Sequence, residues 1–306
     1  MLTSSNNIPS PAGYTNHVIT KTPEWHTLVV FDVLFNNLAT GMFLVAAVAE
    51  LAAPQTFTAV STVAYPVALV LLLIDLAMLV LDLGDPLRFH HMLRVFKPRS
   101  PMSFGTWCLT AFSFALTAIL AVELAATLGW VSDSAGLTWW VREIAIVLGL
   151  PLAFGSAAYK GVLFSTTAQP GWKQARWMGG YLVNSAVMLG CAELLALALV
   201  MGQTNAANVL RMTLAATIPL NLLVLALLVF DVRDSLKLAM QHRDIGRRGA
   251  LAIGGGLVVP TVLLVLGGTI LVSSAVFLVV LGALIVRAEI VHFPHVLSRG
   301  GSIRPH

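Results

Sequence analysis

The sequence predicts an all-α, polytopic membrane protein with about eight transmembrane helices in two four-helix bundles. Of its 306 residues, 58% are hydrophobic and only 10% are charged, with a mean hydropathy of +0.86. Soluble domains carry about 25% charged residues because they must cover a water-facing surface. Apolar runs of span length recur along the whole chain, and polar residues collect in short segments between them. None of these segments has room for a water-soluble catalytic domain.

A helix needs about 20 residues, at 1.5 Å rise each, to cross roughly 30 Å of hydrocarbon. The N-terminal tail, 1–26, is polar and lacks the basic-then-apolar order of a cleaved signal. The first span, 27–52, is therefore expected to act as the insertion signal. Spans at 59–83, 104–129 and 140–165 complete a first bundle over 27–165. A basic linker, 166–176, leads to a second bundle over 177–292, and a tail, 293–306, follows. The spans of the second bundle fall at 177–201, 208–231, 250–268 and 270–292. Its last two come from one apolar stretch of about forty residues, too long for a single crossing, and are divided at Gly267-Gly268. Pro260 is expected to kink the seventh span.

An even number of spans puts both tails on the side of the loops at 84–103, 166–176 and 232–249. That side carries Lys21, Arg88, Arg94, Lys97, Arg99, Lys173, Arg176, Arg233, Lys237, Arg243, Arg247, Arg248, Arg299 and Arg304. The other side carries little beyond Arg142 and Arg211. The excess of Lys and Arg on the cytoplasmic side of membrane proteins predicts that both termini are cytoplasmic.

An ionisable side chain within a span costs several kcal/mol, so each marks function or a paired structural site. Glu50, Glu143, Asp231, Arg287 and Glu289 lie toward span ends and are expected to reach the headgroups. Asp32 lies about one and a half turns into the first span, Asp82 closes the second, and Tyr159 and Lys160 precede the end of the fourth. All four sit at similar depth on the tail side, beneath the basic loop at 84–103. The grouping suits a polar headgroup that comes in from the membrane and exchanges protons. Buried Asp–Lys bridges that fix helix register would suit the same spacing. Asp75, Glu123 and Glu193 lie deeper or toward the far face and could form a proton path, joined by Asn184 and Asn221. Isolated helix–helix hydrogen bonds explain them equally.

The two cysteines, Cys108 and Cys191, fall in apolar runs and read as small core residues. Two isolated thiols do not supply the roughly four ligands of an iron–sulfur cluster. All eight histidines, His17, His26, His90, His91, His242, His292, His295 and His306, lie in tails, loops or span ends. A membrane b-type haem needs facing histidines within helices. The chain is expected to carry neither haem nor an iron–sulfur cluster of its own.

The loop after the second span reads Asp82-Leu83-Gly84-Asp85-Pro86-Leu87-Arg88-Phe89, then His91, Arg94, Pro98, Ser100-Pro101-Met102-Ser103-Phe104-Gly105 and Trp107. This pattern resembles the signature of the NrfD/PsrC family, the membrane subunits of polysulfide-reductase-type complexes. Asn37-Leu38-Ala39-Thr40-Gly41 is similar to the family's first helix, where Gly often stands at the position of Thr40. Tyr159-Lys160-Gly161-Val162-Leu163, followed by Trp172, resembles the end of its fourth helix. The likeness covers residues 25–175 well and the second half by hydropathy, and eight spans match the family's shorter form.

The resemblance implies a site for menaquinone or ubiquinone, bound as substrate, at the top of the first bundle. It implies electron exchange with a docked, ferredoxin-like iron–sulfur subunit and, beyond it, a molybdenum or tungsten catalytic subunit. Membrane lipid is the remaining partner, and nucleic acid is not one. The family's headgroup contacts map to Asp32 and Tyr159, although some members use histidine at the first position. Lys160 would stabilise charge on a reduced headgroup or neutralise Asp82, and Arg88, Arg94 and Arg99 would serve docking or simple anchoring. The expected setting is a bacterial or archaeal cytoplasmic membrane. Many family members place the catalytic module outside the cytoplasm, whereas the charge count here puts the quinone side within it. The alternative reading is a proton or ion translocator that uses intramembrane carboxylates. The absence of an inverted repeat counts against a secondary transporter.

Overall fold

The computed structural model describes residues 27–83, 85–131, 136–240 and 245–301, with side chains as far as Leu297. The N-terminal tail, Gly84 of the loop motif, and Lys21, Arg243, Arg304, His17, His26, His242 and His306 lie outside the described residues. The side chain of Arg299 does too.

The spans are α1 (Thr27–Ala52), α2 (Pro54–Leu81), α3 (Pro101–Thr127), α4 (Leu137–Thr166), α5 (Met178–Val200) and α6 (Thr204–Asp231). A short amphipathic helix, α7 (Arg233–Met240), follows. The seventh span is α8 (Ile245–Ile253) and α9 (Val259–Leu266), joined through a π turn at Gly254–Val258, and the eighth is α10 (Thr269–Gly301). All eight are long and apolar enough to cross a membrane, and the described residues contain no strand. The chain is a multi-pass integral membrane protein.

Local chemistry sets the helix ends. Pro54 and Pro101 occupy first turns, where a missing N–H costs nothing. Ser100 caps α3 by accepting a hydrogen bond from the Ser103 N–H at 3.4 Å. The Ser103 hydroxyl accepts from the Lys97 N–H at 3.0 Å and donates to the Val95 carbonyl at 3.1 Å, which ties the preceding loop to the helix start. The division after α9 falls at Gly267 and Gly268, with φ of 76° and 87°, a backbone region that side-chain-bearing residues avoid. Pro260 sits in the first turn of α9, and the π turn just before it absorbs the irregularity, with the Val259 N–H bonding to the Gly254 carbonyl.

One helix organises the packing. α1 touches α2, α4, α5 and α10, and 78% of its apolar window is buried, against 28% for α2, α3 and α6. α3 packs on α4 to close the first group of spans, and α6, α9 and α10 gather on and around α5. α1 meets α5 without side chains between them, since a Cβ on Gly41 would overlap the Ala186 carbonyl and one on Gly190 would overlap the Gly41 carbonyl. Large apolar residues such as Phe114, Phe277 and Val70 are exposed on the outer faces, as lipid-facing positions should be. The most polar positions of the interior therefore fall on α1, the helix most withdrawn from lipid.

Candidate functional site

Asp32, Asn36 and Thr40 recur at every fourth residue and line one stripe of α1. Lys160 of α4 reaches this stripe. Its Nζ lies 2.9 Å from Asp32 Oδ1, 2.8 Å from Asp75 Oδ1 of α2, and 3.0 Å from the Asp32 carbonyl oxygen. Asn36 donates to Asp75 Oδ2 at 3.1 Å and to Ser156 Oγ at 3.1 Å. Asp75, Asn36 and Ser156 are fully buried, and Asp32 and Lys160 nearly so. Burying an ion costs several kcal/mol, and these five side chains offset it only because each charge has a partner within hydrogen-bonding distance. The trio holds two carboxyl groups against one ammonium, so it is neutral only when one carboxyl carries a proton. It can hold and release one proton without leaving a net charge of more than one.

Tyr159 precedes Lys160 and, about 100° around α4, faces α3 instead. Its ring covers Gly105, where a Cβ would overlap ring atoms. The glycine of the Ser100–Gly105 motif is thus the seat of Tyr159. The Lys160 ammonium stands 5.7 Å from the Tyr159 ring centroid, within cation–π range. A carboxylate, an ammonium and a phenol therefore converge at the tail-side end of the first four spans.

The structure regroups the other residues singled out from the sequence. Asp82 is the exposed C-terminal cap of α2, seven residues beyond Asp75, and Asp75 takes the place beside Lys160 that the sequence reading assigned to Asp82. Asp32 lies 21 residues before the α1–α2 turn at Ala53 and Asp75 lies 22 residues after it, so the observed turn brings the two to the same depth. Arg88 sits in a short 3₁₀ helix, Pro86–Leu93, and pairs at 3.0 Å with Asp85, with both side chains more than half exposed. Such a pair contributes little stability. Arg94 and Arg99 are exposed in the same loop.

Glu123 joins a second buried cluster at the far end of the same helices. Arg142 Nη2 lies 2.9 Å from Glu50 and 3.0 Å from Glu123, and Tyr65 donates to Glu50 at 2.6 Å. Glu50 thus does not reach the headgroups as its position in the chain suggested; it is 5% exposed and fully committed. Arg287 departs from expectation in the same way. It is 0% exposed and donates to Asn37 at 2.7 Å, Ser185 at 3.2 Å and the Ala283 carbonyl at 3.0 Å, which joins α1, α5 and α10. Glu193 has no hydrogen bond or ion pair among the described residues. Asp75, Glu123 and Glu193 therefore stand in three separate environments, and no hydrogen bond among the described residues links one to another. Sequence reasoning missed Asn36 and Ser156, since small polar residues in spans carry no signal until a charge is seen beside them.

Eight spans, organised on a first one that bears buried, cross-linked charges, define a polytopic membrane subunit with a polar site at one end. The family model described as polysulphide reductase, NrfD, matches residues 16–295, nearly the whole chain, and the protein belongs to that family. A search of the curated proteins found no match.

Proposed function

We propose that the chain is the quinone-reactive membrane anchor of a multi-subunit oxidoreductase, with menaquinone or ubiquinone as its membrane substrate. The observation that carries this reading is Lys160 held between Asp32 and Asp75 beside Tyr159. Oxidation of a quinol releases two electrons and two protons, and reduction of a quinone takes up the same. Asp32, the more exposed carboxyl of the trio, exchanges a proton with the headgroup, and Tyr159 donates a hydrogen bond to its other oxygen. Lys160 offsets negative charge on the reduced ring. Asp75 and Asn36 hold Lys160 in position.

The electrons pass to or from an iron–sulfur subunit that docks on the tail side, over the loop at 85–100. That loop exposes Arg88, Arg94 and Arg99 together with Leu87, Phe89 and Phe96, a mixed basic and apolar surface suited to a partner. A molybdenum or tungsten catalytic subunit lies beyond it.

The test is quinone-linked turnover in membranes that hold the native complex. Asp32→Asn and Tyr159→Phe should each lower it by about 100-fold or more, the range of general acid–base effects. Glu193→Gln should leave it intact. Full activity in both site variants would refute the assignment.

A further inference from the structure

A cavity of about 320 Å³ lies at the tail-side end of the second group of spans. That volume is near the lower end of the roughly 300–1,000 Å³ typical of small-molecule sites. Its origin is geometric. α8–α9 and α10 cross at Gly256 and Gly282, where a Cβ on either glycine would come within 2.5 Å of the other's Cα. On the tail side of that pinch the cavity is lined by Ile245–Ile253 of one helix and Ile285–Phe293 of the other, with α6 and α7 closing it through Leu228, Val232 and Leu236. Trp172 is fully buried against it and donates its indole N–H to the Ile290 carbonyl at 2.8 Å. Away from Arg248 and Glu289 the walls are apolar, so the interior suits a hydrocarbon chain.

The mouth is charged. Arg248 lines it, 47% exposed, and uses only Nη1 on Glu289, at 2.9 Å. Its remaining N–H groups bond nothing among the described residues. Glu289 is thereby neutralised, and Arg247, the preceding residue of α8, is exposed outside the lining and has no carboxylate within ion-pair distance among the described residues. α7 closes the same end with Leu236 and Met240, and on the same helix Arg233 and Lys237 share Asp234 at 3.9 and 3.8 Å. The balance at the mouth is basic, at the depth where headgroups lie.

We propose that this cavity binds one anionic glycerophospholipid, with an acyl chain between α8 and α10 and its phosphate on Arg248. The charge at the mouth selects the occupant: the unused N–H groups of Arg248 meet the phosphodiester, and a choline headgroup would add a second cation beside them where an anionic headgroup adds none.

The test uses the full chain in mild detergent, with dioleoylphosphatidylglycerol or dioleoylphosphatidylcholine added. Native mass spectrometry should find one phosphatidylglycerol retained per chain, and that lipid should raise Tm where phosphatidylcholine does not. Gly249 lines the cavity, with no atom within 4 Å of where its Cβ would stand. Gly249→Leu should therefore displace the lipid, and Arg248→Gln should remove the preference for the anionic one. Equal retention of both lipids by the parent chain would overturn the proposal, as would full phosphatidylglycerol retention in Arg248→Gln. Recovery of a quinone in place of phospholipid would also overturn it and would give the cavity to that ligand. Should Gly249→Leu fail to fold, the Arg248→Gln comparison decides.

Discussion

Gly105 of α3 and Tyr159 of α4 touch so closely that no β-carbon fits between them. The contact gives the loop motif a structural purpose, because the residue that ends Ser100–Gly105 fixes the phenol beside Lys160, on the helix that reaches α1. Gly105→Ala should push the ring off its seat. Overpacking of this kind costs about 1–3 kcal/mol, so a fall in Tm is expected together with loss of quinone-linked turnover. Gly155→Ala, which crowds Cys108 on the same helix pair, should lower Tm but leave turnover nearly unchanged. Equal effects of the two on turnover would remove the special role of Gly105.

Lys160 separates register from chemistry. Lys160→Met leaves two buried carboxyls facing each other and should destabilise the fold by about 3–5 kcal/mol, as broken buried pairs do. Lys160→Met with Asp75→Leu should recover much of that stability, read as Tm in detergent, but none of the turnover. Recovery of turnover in the double variant would mean that the trio only fixes helix register.

The far cluster predicts the reverse pattern. Arg142→Met strands Glu50 and Glu123, which are 7% and 17% exposed at their side chains, and should lower Tm markedly. Adding Glu123→Gln should restore part of it. Quinone-linked turnover at a temperature below the transition should change by less than about twofold, because surrounding residues at the other membrane face are undisturbed. A large loss of turnover would bring Glu50 and Glu123 into the mechanism.

Orientation is open to direct measurement. Alkaline phosphatase fused after Arg299 should be inactive, and the same enzyme fused after Gly202, in the α5–α6 turn, should be active. This follows from the Lys and Arg excess on the tail side. Activity after Arg299 would place the quinone side and its partner outside the cytoplasm.

The spans were legible because each is a local property. A run of about 20 apolar residues must be a helix in hydrocarbon, where no other local structure satisfies its backbone. The first span was predicted to end at 52 and α1 ends at Ala52, and the division at Gly267-Gly268 falls where those residues turn to positive φ. Helix starts proved less legible. α2 begins at Pro54 rather than 59, because Pro in a first turn extends a helix beyond its apolar window.

Of the candidate site, the sequence by itself determined the membrane end, the residue types and three members: Asp32, Tyr159 and Lys160. Only the tertiary structure decided which carboxyl faces Lys160. Asp75 and Asp82 are two turns apart on the same face of α2, so their spacing alone does not choose between them. The choice rests on how far α2 slides along α1, and the single residue between the two helices, Ala53, sets that register. For the same reason Glu50 and Arg287, near span ends in the chain, are buried in the fold. Hydropathy measures depth along one helix, whereas burial depends on the neighbours packed around it.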